Sequence, residues 1–136
     1  MTAKNNGTAP EAQVKERMSW DSYEKAVGEL VKKIQNSGKK YDVIYGIPRG
    51  GLVLAVTLSH RLNVPITLEL NEEHEDAKVL IVDDVVDTGR TAIEMNAKRF
   101  DTATLYYKPW RSYNPTYSVI ETSHWIIFPW EKGDAK

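Results

Sequence analysis

The stretch Val79-Leu80-Ile81-Val82-Asp83-Asp84-Val85-Val86-Asp87-Thr88-Gly89-Arg90-Thr91 constrains this chain more than any other. Its four leading apolar residues, rich in β-branched types, read as a strand buried on both faces. Two adjacent carboxylates close that strand. Asp87-Thr88-Gly89-Arg90-Thr91 then turns into a helix beginning near Thr91, expected over 89–99. Such a turn aims successive backbone N–H groups at one spot, and the helix dipole adds partial positive charge there. A phosphate monoester suits that spot. Asp83 and Asp84 beside it suit ribose hydroxyls or a hydrated Mg²⁺. Phosphate, sugar diol and metal in one crevice imply a phosphorylated ribose.

The remaining elements alternate around this strand. Residues Ser19 to Gln35 form an amphipathic helix, with Ser19 as N-cap, Asp21 in the first turn, an apolar stripe of Tyr23, Val27, Leu30, Val31 and Ile34, and Gly38 as its stop. Tyr41 to Ile47 is a strand, and Pro48-Arg49-Gly50-Gly51 a tight loop. Leu52 to Leu62 is a helix apolar nearly all round, expected to be largely buried. Strands follow at Ile66–Leu70, 78–84 and Thr102–Tyr107, with shorter ones at Tyr117–Glu121 and Trp125–Phe128. An acidic turn spans Asn71–Asp76, and a loop rich in aromatics and prolines spans Lys108–Thr116.

This alternation calls for an α/β fold: a single-domain, mostly parallel, doubly wound sheet with helices on both faces. With 136 residues, one core is expected, in a domain over 18–131. Residues 1–17 read as a disordered polar tail and 132–136 as a short one. In such sheets ligands sit beyond the strand C-termini, where strand order reverses. The loops Pro48–Gly51, Asp83–Thr91 and Lys108–Pro115 all fall at strand C-termini, and they carry the unusual chemistry.

Each loop suggests a task. Two glycines let amides approach an anion closely, and Arg49 adds a permanent charge, so Arg49, Gly50 and Gly51 suit pyrophosphate. Lys108, ending a strand, can donate to a carbonyl on a base. Trp125 offers a flat face for stacking, and Ile126 a backbone carbonyl.

Charge and composition remove other classes. A net charge of −1 with well-mixed charges gives no basic face for nucleic acid. Without cysteine there is neither a disulfide nor a thiolate metal site. His60, His74 and His124 lack the spacing of metal ligands. No apolar run approaches the ~20 residues of a membrane span. A soluble cytoplasmic protein is expected, and C-terminal aromatics suggest a homodimer or higher oligomer.

The motif at 79–91 resembles the phosphoribosyl pyrophosphate loop of the type I phosphoribosyltransferases, whose pattern of two to four apolar residues, an acidic pair, an apolar pair and Asp/Ser-Thr-Gly-x-Thr is met throughout. Arg49-Gly50-Gly51, Lys108-Pro109 and the ending Trp125-Ile126-Ile127-Phe128-Pro129-Trp130-Glu131 resemble the xanthine-guanine branch of its purine enzymes. The resemblance runs from about Ser19 to Glu131.

It implies transfer of 5-phosphoribosyl from phosphoribosyl pyrophosphate to N9 of a 6-oxopurine (xanthine, guanine or hypoxanthine), giving a nucleoside monophosphate and pyrophosphate. It implies Mg²⁺ held near Asp83 and Asp84. The 5′-phosphate would lie on Asp87, Thr88, Gly89, Arg90 and Thr91. Asp87 would sit near base N7, Lys108 would contact O6, Trp125 would stack, Ile126 would read position 2, and Pro48–Arg49 would be cis. Trp130 and Phe128 are expected in the core or at a subunit contact. One departure stands out: family members usually carry a long lid loop with a Ser-Tyr pair, and here only Asn71 to Ala77 joins the two strands. A phosphoribosyl-pyrophosphate- or nucleotide-binding regulator with weak catalysis is therefore the alternative expectation.

Overall fold

The computed structural model describes residues 10, 12–87 and 99–133. Thr88, Gly89, Arg90, Thr91 and the expected helix through residue 98 lie outside them, so the phosphate-cradle expectation does too. The described elements are β1 (Lys15–Arg17), α1 (Trp20–Asn36), β2 (Val43–Gly46), α2 (Gly50–Leu62), β3 (Ile66–Thr67), a 3₁₀ turn (Glu72–His74), β4 (Val79–Val86), β5 (Asp101–Tyr107), β6 (Ile120–Glu121) and β7 (Trp125–Ile127).

Five strands form one sheet in the order β3-β2-β4-β5-β6, and β1 pairs with β7 in a separate ribbon. Among the described residues every strand pairing is parallel. From β2 the chain steps outward to β3, then returns to β4 and proceeds the other way. The order thus reverses between β2 and β4, which makes the gap beyond their C-termini the natural crevice.

α1 forms because its cap and stripe agree. The Ser19 side chain accepts from the Ser22 N–H at 3.0 Å, and Tyr23, Ala26, Val27, Leu30 and Ile34 are buried. Gly38, at φ 76°, turns the chain away. One core joins these residues to Leu54, Ala55 and Leu58 of α2 and to Ile44, Leu80, Val82 and Leu105 of the sheet. A second core, Val43, Ile47, Val79 and Ile81, lies beside Phe100 and Tyr113. Alternate residues of β4 serve the two cores, as burial on both faces requires.

Several expectations change. α2 begins at Gly50, so the two glycines are its first turn rather than a loop before it. That helix is not buried all round: Val56 is 47% exposed, and its sheet-facing side alone carries the core. The strand expected over Ile66–Leu70 shortens to two residues, and Leu68 is 77% exposed. Residues 15–17 are not a loose tail, because β1 runs parallel to β7 with Glu16 opposite Ile126. The C-terminal rings pack within the chain: Phe128 stacks on Trp130 at 5.0 Å, and Trp130 meets Tyr23 edge-on at 5.4 Å. They bear out the core expectation, with Phe128 buried and Trp130 half-buried against α1. Among the described residues, no helix is long and apolar enough to cross a membrane.

Candidate active site

The crevice is built first by close approach of α2 to β4. A Cβ placed on Gly50 would lie 1.9 Å from Asp84 Oδ2, and one on Gly51 would lie 2.5 Å from the Val82 carbonyl oxygen. Gly51 therefore needs glycine against main chain, and a side chain at Gly50 would displace the Asp84 carboxylate. The Gly51 N–H donates to the Ile47 carbonyl at 2.8 Å, so its amide already has a partner and its contribution is the missing side chain. Arg49 is exposed at the helix start, which has no side-chain cap. An uncapped helix N-terminus with an arginine beside it favours an anion. The Pro48–Arg49 peptide bond is cis, as the resemblance implied.

Asp83 and Asp84 crown β4 in this gap. The Asp83 carboxylate accepts from the Asp84 N–H at 2.9 Å. Burial, and then the neighbouring Asp84 charge, push the Asp83 carboxyl well above the usual range. Burial also pushes Asp84 up, assisted by the more distant charge of Glu131. Two crowded, poorly solvated carboxylates gain from a cation or from hydroxyl donors. Among the described residues no group of three or more His, Cys, Asp or Glu side chains could hold a metal ion. A carboxylate pair without a cage fits Mg²⁺, which keeps several waters and takes further oxygens from a substrate.

The second half of the crevice lies where β4 and β5 end. The Lys108 N–H donates to the Val86 carbonyl at 3.0 Å, continuing the ladder. The Lys108 side chain is buried, at 3% exposure. Its ammonium donates to Gln13 Oε1 at 2.7 Å and to the His124 carbonyl, and sits 5.3 Å from the Trp110 ring centroid. Burial lowers its pKa, while the nearby Asp87 carboxylate acts in the other direction. Asp87 Oδ1 accepts from the Trp110 indole N–H at 2.7 Å. Asp87, Lys108 and Trp110 thus form one group.

Trp125 is half-buried and Ile126 is 7% exposed. The Trp125 N–H donates to Val14, and the Ile127 carbonyl accepts from Met18. Backbone groups alternate sides along a strand, so the Ile126 carbonyl faces away from β1. The ribbon therefore presents Ile126 with a polar edge that β1 does not use.

Two partners escaped the sequence reading. Gln13 fell in what read as a disordered tail, and Val14 with Met18 is too sparse an apolar pattern to signal a strand. Trp110 was legible only as one aromatic among several in its loop. A cleft of about 590 Å³ also opens at the opposite end of the strands, lined by Lys39, Tyr41, Lys78, Arg99 and Asp101 among others. It lies at the starts of β2, β4 and β5, away from the carboxylates.

Comparison with known proteins agrees with this fold. The family model described as a phosphoribosyl transferase domain matches residues 19–77 and 67–135. The xanthine-guanine phosphoribosyltransferase of Idiomarina loihiensis is 28% identical over 138 residues, covering 84% of this chain and 85% of its own. The crystal structure of a purine phosphoribosyltransferase from Pyrococcus horikoshii superposes with a TM-score of 0.77 at 35% identity, covering 90% of this chain and 97% of that one. A Neisseria gonorrhoeae protein solved with bound ppGpp gives 0.75 at 25% identity, over 92% and 93%.

Proposed function

The chain belongs to the phosphoribosyl transferase domain family, and from that premise we propose that it is a purine salvage enzyme. It moves 5-phosphoribosyl from phosphoribosyl pyrophosphate to N9 of xanthine, guanine or hypoxanthine and releases pyrophosphate. The single observation that carries this reading is the buried Lys108 ammonium beside Asp87, at the ends of β4 and β5, one strand from the point where sheet order reverses. An ammonium donates only, so it can bond a 6-oxo oxygen, which accepts, but not a 6-amino group, which donates. The Pyrococcus and Idiomarina relatives, named as purine and xanthine-guanine enzymes, support the substrate class.

In the proposed mechanism, N9 of the base attacks ribose C1′ with inversion as the bond to pyrophosphate breaks and its electron pair leaves with the pyrophosphate. Arg49 and the start of α2 at Gly50, with Gly51 beneath, bind the departing pyrophosphate. Asp83 and Asp84 orient the ribose hydroxyls and would hold Mg²⁺. Mg²⁺, when bound, neutralises charge that builds on the leaving group. Asp87 accepts the N7–H of the base, and a carboxylate can do so while keeping its Trp110 hydrogen bond. Lys108 donates to O6, Trp125 stacks on the ring, and the Ile126 carbonyl reads position 2. The 5′-phosphate is assigned to Asp87, Thr88, Gly89, Arg90 and Thr91 by resemblance alone.

A second reading is a nucleotide-binding regulator with weak turnover. The short connection between β3 and β4, pinned by Asn71 Oδ1 accepting from the Glu73 N–H at 2.9 Å, favours it, because a lid that excludes water is a usual part of this chemistry. One experiment separates the two. Each of xanthine, guanine, hypoxanthine, adenine and orotate is offered with phosphoribosyl pyrophosphate and Mg²⁺, and pyrophosphate release is followed. The enzyme reading predicts release with 6-oxopurines and at least about a hundredfold less with adenine. Nucleotide binding without release from any base would support the regulator.

A further inference from the structure

Lys108 is already fully engaged within the chain. Its side chain is 3% exposed, and its ammonium is enclosed by the Gln13 carboxamide oxygen at 2.7 Å, the His124 carbonyl and the Trp110 ring. Nothing can reach that ammonium unless one of these three moves. The His124 carbonyl is main chain, one residue before β7. Trp110 is 7% exposed and tied to Asp87. Gln13 is a half-buried side chain that precedes the first β1–β7 hydrogen bond, Trp125 N–H to the Val14 carbonyl at 2.7 Å. It can swing away without disturbing the ribbon, and it is the least anchored of the three.

The chemistry of the occupant matches that of the expected ligand. A carboxamide presents a carbonyl acceptor next to an N–H donor, as the C6 carbonyl and N1–H of a 6-oxopurine do. We propose that Gln13 is an internal competitor for the base subsite: its side-chain carbonyl holds the place on Lys108 that the O6 of an incoming purine must take. This rests on the reading that Lys108 contacts the base. Gln13 supplies no contact to the bound purine; it sets how much a purine must displace, and so sets the base concentration at which the enzyme half-saturates. Because a displaced Gln13 is the same loss for every base, it shifts affinity without changing which base is preferred.

The test uses the full-length protein with hypoxanthine as the varied substrate at saturating phosphoribosyl pyrophosphate and Mg²⁺. Gln13→Ala is expected to lower the hypoxanthine KM by roughly three- to tenfold, water replacing part of the vacated contact. Gln13→Glu is expected to raise it by more than about tenfold, since a carboxylate grips an ammonium more firmly than an amide does. A Gln13→Ala KM that rises or stays within twofold of the parent overturns the competitor. Lys108→Ala, measured alongside, separates the two claims. If it raises the KM by more than about tenfold while Gln13→Ala is neutral, the base-contact reading stands and the competitor alone falls. If Lys108→Ala leaves the KM unchanged, the base-contact reading falls, and the competitor with it.

Discussion

At the scale of single residues, the site is a balance between crowding and charge. Asp84 fits against α2 only because Gly50 has no Cβ, and its carboxylate stays in a poorly solvated gap that raises its pKa. A buried carboxylate crowded against a second one and poorly solvated destabilises the empty protein. Asp84→Asn should therefore raise the melting temperature of the metal-free protein. It should also reduce Mg²⁺-dependent turnover by at least about a hundredfold, removing preorganised charge at the leaving group. In the parent, Mg²⁺ with phosphoribosyl pyrophosphate should raise the melting temperature by mass action, and in Asp84→Asn it should not. Parent-like turnover and the same ligand-induced rise in the variant would remove the metal assignment. At this scale the chemistry was legible: Asp83 and Asp84 interrupt the apolar run of β4 near its C-terminal end, and Asp87 and Lys108 follow β4 and β5 directly. The partners Gln13 and Trp110 were not, since a single long-range hydrogen bond leaves no local pattern.

At the scale of elements, parallel strands are aligned by what clamps their starts. The Tyr41 hydroxyl, ahead of β2, donates to Asp101 Oδ2 at 2.5 Å at the first residue of β5. Lys39 adds an ion pair at 3.1 Å to the same oxygen. The Tyr41 and Tyr117 hydroxyls lie 2.7 Å apart, and Tyr117 donates to Ser37 Oγ, after α1, at 3.0 Å. Partial burial pushes the Asp101 carboxyl up, but the Tyr41 hydrogen bond and the Lys39 charge outweigh it and hold it below the ordinary range. A depressed carboxyl contributes stability above its unfolded pKa of about 3.9 and loses it as pH falls through the folded value. Asp101→Asn should thus lower the melting temperature at pH 7, and the gap from the parent should close as pH drops below about 4. A gap that persists at pH 2 would mean that packing, not charge, carries the effect. The element order itself was readable: α1 has a cap, a stripe and a glycine stop that agree. The limits of β3 and of the residues before α1 were not, because β3 is two residues long and β1 owes its existence to β7, more than a hundred residues later.

At the scale of the molecule, the sheet order does most to locate function. Strand order reverses between β2 and β4, and Arg49, Gly50, Asp83 and Asp84 gather on that gap, while Asp87, Lys108, Trp110 and Trp125 gather one strand further on. The β1–β7 ribbon then brings the N-terminal segment across to the base side, so the chain closes over its own crevice. The cleft between Lys39 and Arg99 lies at the strand starts, where the polar groups of Lys39, Tyr41 and Asp101 are already tied to one another. Which end binds the nucleotide is therefore the central question. It is decided most directly by a crystal structure of the protein grown with guanosine monophosphate. The account predicts the guanine between Trp125 and Lys108, with Gln13 displaced and the ribose hydroxyls at Asp83 and Asp84. A nucleotide lodged in the cleft by Lys39, Tyr41 and Arg99, with the Asp84–Lys108 crevice bare, would contradict it.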